Sequence, residues 1–144
     1  MELIAETPTV PAGNKAVIIL LCNLAEGKGG YSYQAWLSYD PAVAQFESQA
    51  DIIIPPPVDL YGGILRHYDN QQGIINLMGV VNRPAGYGPF YGQTVLAIMT
   101  PRAVARGQFR IAWREHEPAS LVGGTDGRQI LPMKLIDSPL IDVL

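Results

Sequence analysis

Tyr31-Ser32-Tyr33-Gln34-Ala35-Trp36-Leu37-Ser38-Tyr39-Asp40-Pro41 alternates two sets of side chains with period two and then stops. A strand sends successive side chains to opposite faces. Tyr31, Tyr33, Ala35, Leu37 and Tyr39 therefore share one face, and Ser32, Gln34, Trp36 and Ser38 share the other. The first set reads as a core face. The second reads as an open polar face carrying one indole, and Asp40-Pro41 ends the pairing because proline has no amide hydrogen to give a ladder.

Working outward, residues 15–24 are rich in Val, Ile and Leu with little alternation. That is how a strand covered on both faces reads, although periodicity alone also allows a buried helix. Gly13 before the run and Gly27-Lys28-Gly29-Gly30 after it favour the strand and predict a hairpin with residues 31–39. Residues 45–54 predict a further strand anchored by Phe46, ended by Pro55-Pro56-Pro57. The stretch from Pro55 to Gly63 then reads as a polyproline-like surface excursion. Asp69-Asn70-Gln71-Gln72 lies between two β-rich runs and predicts a second hairpin. Residues 82–92 form a Gly/Pro/aromatic loop with Tyr87, Phe90 and Tyr91, and residues 93–100 a strand.

Arg102, Arg106, Arg110 and Arg114 recur every four residues, as a basic stripe on a helix would. Gly107 interrupts such a helix, and Phe109-Arg110-Ile111-Ala112-Trp113 alternates as a strand does. One or two last strands follow, broken at Pro132 and Pro139. Eight or nine short strands with no long helix predict a single domain over residues 1–144, all-β, a sandwich of two antiparallel sheets.

Composition agrees. Hydrophobic residues make up 48% and charged residues 16%, while 15 glycines and 12 prolines without a period mean many turns rather than disorder. The net charge is −3 and the basic residues are scattered, so the chain has no electrostatic footprint for nucleic acid or an anionic membrane. No apolar run approaches the roughly 20 residues a membrane span needs, and the N-terminus lacks the order of a signal peptide. Cys22, alone in an apolar run, reads as a small buried hydrophobe.

Catalytic chemistry has no visible apparatus. Gly-x-Ser-x-Gly, a phosphate-cradling loop and a Cys/His pair are all missing. His67 and His116 are the only histidines, spaced so that neither brings a second metal ligand onto its face. Asp126 in Gly124-Thr125-Asp126-Gly127-Arg128 lacks the other acidic positions of a calcium loop. The expectation is no enzyme, no cofactor, no catalytic residue and no metal site. Aromatic side chains remain as binding currency: Trp36, Tyr61, Tyr68, Tyr87 and Tyr91 are candidates for a sugar platform or a protein anchor.

The order of motifs resembles the cohesin domain, the scaffold module that receives dockerins. Ala12-Gly13-Asn14-Lys15 followed by Val17-Ile18-Ile19-Leu20-Leu21-Cys22 is similar to the family's Gly turn and second strand. The run from Tyr33 to Pro41 is similar to its aromatic-alternating strand. Tyr68-Asp69-Asn70-Gln71-Gln72-Gly73-Ile74-Ile75 is similar to its hairpin of fifth and sixth strands, Thr94-Val95-Leu96-Ala97-Ile98 to its seventh strand, and Thr125-Asp126-Gly127-Arg128 to its late Asp-Gly turn.

The resemblance implies a nine-stranded jelly-roll sandwich whose flat sheet face grips a calcium-loaded dockerin helix pair, the calcium being carried by the partner. On that face it places Ser32, Gln34 and Trp36 of the third strand, Tyr68 and Asn70 at the fifth-strand edge, and Asn76, Met78 and Val80 of the sixth. Trp36, Tyr68 and Met78 are the expected anchors. The implied setting is extracellular or at the cell surface, within a larger secreted protein. Pro55-Pro56-Pro57 and the loop around Tyr87 and Tyr91 fall outside the family's pattern. Gln34 and Trp36 stand where many members carry acids. Two alternatives stay open at this point: a carbohydrate-binding module reading polysaccharide through Trp36 and Tyr68, and a structural or oligomer-forming sandwich.

Overall fold

The computed structural model describes residues 1–58, 65–117, 119–131 and 133–144. Tyr61, the Gly62-Gly63 closure, Ile64 and Pro132 lie outside them. Their strands, in chain order, are β1 (Glu2–Ala5), β2 (Thr9–Val10), β3 (Ile18–Asn23), β4 (Gly29–Ser38), β5 (Ala44–Gln45), β6 (Ile52–Ile53), β7 (Leu65–Asp69) and β8 (Ile74–Val80). There follow β9 (Phe90–Tyr91), β10 (Gln93–Met99), β11 (Arg102–Ala103), β12 (Gly107–Phe109), β13 (Ala112–Trp113), β14 (Leu121–Gly124) and β15 (Ile141–Val143). Two 3-10 turns, Gln49–Asp51 and Arg83–Ala85, are the helical elements among the described residues. The all-β expectation holds, and the arginine repeat falls on short strands and loops.

One main sheet runs β1-β3-β10-β6 and the other β13-β4-β8-β7, with β14 and β9 also paired to β4. Two small sheets, β11-β5 and β12-β15-β2, complete the sandwich. Pairing is antiparallel except between β15 and β2 and at the Glu2–Ile136 bridge. Ile18, Leu20 and Cys22 of β3 and Tyr33, Ala35 and Leu37 of β4 join one buried cluster between the sheets. The Tyr33 hydroxyl donates to the Leu96 carbonyl of the opposite sheet at 3.2 Å, and burial pushes its ionisation far up. The period-two reading of residues 31–39 thus becomes the inner face of the second sheet.

The hairpin expected between residues 15–24 and 31–39 does not form. The edges of β3 are taken by β1 and β10, while β4 pairs with β8, β13 and β14. Each of the two strands has an apolar face to bury, and stacking those faces buries both where edge pairing would not. The Gly27 turn, at φ +77, carries the chain from one sheet to the other.

The second hairpin forms as the sequence indicates. Asp69 Oδ1 accepts from the amides of Gln71 and Gln72 at 2.7 and 3.1 Å, and Gly73 closes the turn at φ +68, a conformation that favours glycine. Asp69 then pairs with Ile74, His67 with Asn76 and Leu65 with Met78. The polyproline excursion is not wholly at the surface, because Val58 is fully buried and bridges Val81.

Candidate docking face

The outer face of the β14-β4-β8-β7 sheet is built by register. Leu121, Gln34, Met78 and Leu65 form one row across four strands, and Trp36, Asn76 and His67 form the next. Ser32 stands opposite Val80 and Gly123. The outward sets expected on β4 and β8 therefore meet on one surface. Met78 and Val80 on the interior strand β8 are 36% and 38% exposed, and Leu65 on the edge strand β7 is 38% exposed. His67 is exposed, and Ser32 and Asn76 are half-buried.

Trp36 departs from expectation. It points outward in register but is only 5% exposed and takes no part in the central cluster. The segment after β13 lies over it: the His116 ring stacks on the indole with centroids 4.3 Å apart. That segment is fastened to β4. The Arg114 amide donates to the Trp36 carbonyl at 3.0 Å, and the Trp36 amide donates to Ser120 Oγ at 2.9 Å. Gln34 Nε2 donates to the Ala119 carbonyl at 2.5 Å, which leaves Gln34 buried as well. The Arg114 guanidinium bonds Asn76 Oδ1 and, at 3.2 Å, the Leu37 carbonyl. The polar groups on this part of the face are held by the chain itself.

Tyr68 and Asn70 also fall elsewhere than expected. Tyr68 pairs with Ile75, on the inward parity, and its ring meets Phe46 at 5.5 Å. Asn70 is a staple: Oδ1 accepts from the Tyr39 hydroxyl at 2.6 Å and the Phe46 amide at 3.0 Å, and Nδ2 donates to the Phe46 carbonyl at 2.7 Å. Burial, with Asp69 and Tyr68 nearby, pushes the Tyr39 phenol up to about 12, so it stays a donor. The outward residues of β7 are instead Leu65 and His67. Their parity is readable once Asn76 is set outward, because a four-residue loop from Asn70 to Gly73 fixes His67 opposite Asn76.

At the other end of the face a cavity of about 440 Å³ lies between Ser32, Val80, Gly123 and Thr125. Arg83 stacks on the Tyr31 ring there, 4.1 Å from its centroid. Among the described residues, no group of three His, Cys, Asp or Glu is placed to hold a metal ion. The face is partly apolar, with Met78, Val80 and Leu65 exposed beside the polar side chains of Ser32, Asn76 and His67.

The class that this fold defines is the cohesin-like β-sandwich. The chain superposes on the type II cohesin–X-dockerin complex structure from Acetivibrio cellulolyticus with a TM-score of 0.75 at 14% identity, covering 99% of this chain and 98% of that one. A type I cohesin–dockerin complex from Clostridium thermocellum gives 0.74 at 14% identity with the same coverage. A type II cohesin dyad from the ScaA scaffoldin of Acetivibrio cellulolyticus gives 0.73 at 14% identity over 97% of this chain, which spans 47% of the dyad's length. No protein-family model matches the sequence, and no curated protein matches it.

Proposed function

We propose that this chain is a non-catalytic recognition module that takes a dockerin-like helical partner on the outer face of the β14-β4-β8-β7 sheet. The row Leu121, Gln34, Met78 and Leu65 carries this reading, because it sets one exposed apolar side chain, Met78, on an interior strand and a second, Leu65, beside it on the edge strand. The solved cohesins similar to this chain include members complexed with dockerins. Met78 is the central anchor, with Val80 and Leu65 beside it, and Ser32, Asn76 and His67 supply polar contacts. Gln34 and Trp36 shape the floor of the face from beneath the His116 segment. The calcium belongs to the partner, and the parent protein is a secreted or cell-surface scaffold.

Calorimetric titration with a purified calcium-loaded dockerin tests the reading. Binding should vanish on chelation and weaken by at least about thirtyfold on Met78→Asp. Binding that neither change weakens would place the partner elsewhere. The polysaccharide alternative depended on Trp36 and Tyr68; with one under His116 and the other facing inward, that pair forms no exposed platform.

A further inference from the structure

The cavity at the end of the candidate docking face has a chemistry that the rows beside it lack. Arg83 and Tyr31 line it together with Ser32, Val80, Gly123 and Thr125. Arg83 belongs to the second 3-10 turn, which the Asn82 side chain caps by accepting from the Ala85 amide at 3.1 Å. The Val81 amide donates to the Tyr31 carbonyl at 2.7 Å and the Arg83 amide to the Val81 carbonyl at 2.9 Å, which ties the turn to β4. The guanidinium then lies over the Tyr31 ring, 4.1 Å from its centroid. Stacking of this kind orients the cation and leaves its N–H groups free to donate.

Those donors have no taker within the chain. Lys15, Arg102 and Arg110 each meet a carboxylate, and Arg114 bonds Asn76. Among the described residues, the Arg83 guanidinium meets neither a carboxylate nor a hydrogen-bond acceptor, and the Ser32 and Thr125 hydroxyls have no hydrogen-bond partner. Gly123 keeps the Ser32 hydroxyl open, since a Cβ there would run into Ser32 Oγ. Asp126, the acid of the adjoining turn, lines the neighbouring cavity instead, and its carboxylate accepts from the Arg128 amide at 2.9 Å.

We propose that this cavity is a carboxylate subsite, in which Arg83 pairs with an Asp or Glu side chain of the docking partner and the Ser32 and Thr125 hydroxyls donate beside it. A fixed cation flanked by two hydroxyls is the complement of an acceptor-only anion. One guanidinium matches one negative charge, whereas a phosphate dianion would remain half-compensated against a chain of net charge −3. Ser32 and Val80 stand opposite each other in the end row of the candidate docking face, so the subsite continues that face. That the acid belongs to a docking partner rests on the function proposed above. Val80 lies two residues beyond Met78 on β8, about 7 Å, and a helix running along that strand reaches the cavity within about two turns of the residue over Met78.

Two measurements on the full chain test the subsite. The first needs no protein partner: sodium acetate is added to about 200 mM against sodium chloride at equal ionic strength, because an exposed ion pair is weak and screened. NMR shifts of the backbone amides and of the arginine Nε–H groups should move at Arg83, Gly123 and Thr125, and Arg83→Ala should abolish the response. The second is calorimetry with a calcium-loaded dockerin, whose affinity Arg83→Glu should lower by about tenfold or more. Arg83 is exposed on its turn, so thermal unfolding should confirm that both variants fold. Acetate shifts that are absent, or that survive Arg83→Ala, would overturn the subsite. A dockerin weakened by Met78→Asp but held within about twofold by Arg83→Glu would overturn its role toward that partner. Acetate shifts lost with Arg83 and a dockerin that does not bind would uphold the subsite and overturn the docking function.

Discussion

The imidazole of His116 covers the indole of Trp36, ring centroids 4.3 Å apart and planes tilted by 33°. This contact turns the apparent anchor of the candidate docking face into part of its foundation. Trp36→Ala should therefore act first on stability, costing about 3 kcal/mol, with His116→Ala costing about 1 kcal/mol. Urea unfolding of the two variants measures both. A Trp36→Ala protein with unchanged midpoint would show the indole to be superficial.

Which residues share a face was legible in the sequence, and what covers a face was not. The parity of Ser32, Gln34 and Trp36 and that of Asn76, Met78 and Val80 are local properties of strands, and the register brings them together as those parities require. His116 reaches Trp36 from a segment eighty residues on, and no short-range pattern announces that. The β3–β4 link misleads for a related reason: a glycine-rich loop between two strands serves a hairpin or a crossing between sheets equally well. The choice is made by the competing edges of β1, β10 and β8. At Tyr68, aromatic character suggests a binding role that parity with Ile75 contradicts.

Asn70 bonds Tyr39 and both backbone groups of Phe46 with one amide side chain. Asn70→Ala leaves those three groups without their partner in a partly buried corner, so a loss of about 2 to 3 kcal/mol is expected. Chemical unfolding should detect it, while affinity for a docking partner stays within a few-fold of wild type.

Asp51 links acid sensitivity to the fold. Its side chain is 3% exposed, and burial opposes its ionisation. The Lys15 ammonium and the amides of Glu47 and Ser48 outweigh that burial and hold the carboxyl below its usual range. The unfolded chain therefore binds the proton more readily. The stability gained is whole above about pH 4 and drains away as pH falls through the depressed folded value. Asp51→Asn should lower stability at neutral pH by about 2 kcal/mol and flatten the acid limb. A pH series of melting temperatures from 2 to 7 checks both effects.

Gly79 faces inward opposite Tyr33. A Cβ there would run into Val58 Cγ1 and lie 2.8 Å from Tyr33 Cε1. Val58 is fully buried and Tyr33 nearly so, so neither can step aside without disturbing the core. Gly79→Ala should cost about 1 to 3 kcal/mol by overpacking, with a lowered denaturation midpoint and unaltered β content by circular dichroism.

Met78 offers the cleanest separation of binding from folding. Its neighbours in the row are Gln34 on one side and Leu65 on the other. Its side chain is 36% exposed, so an acid placed there remains solvated in the free chain and is desolvated only beneath a partner. Met78→Asp should thus leave the melting temperature nearly unchanged while weakening a helical partner by at least 2 kcal/mol, about thirtyfold. Leu65→Asp, at the edge of the same row, should weaken it less, since contacts at a rim stay partly hydrated. Calorimetry of both variants against one calcium-loaded dockerin reads the ranking. If Leu65→Asp proved the more damaging, the partner would lie along the β7 edge rather than over the centre of the sheet.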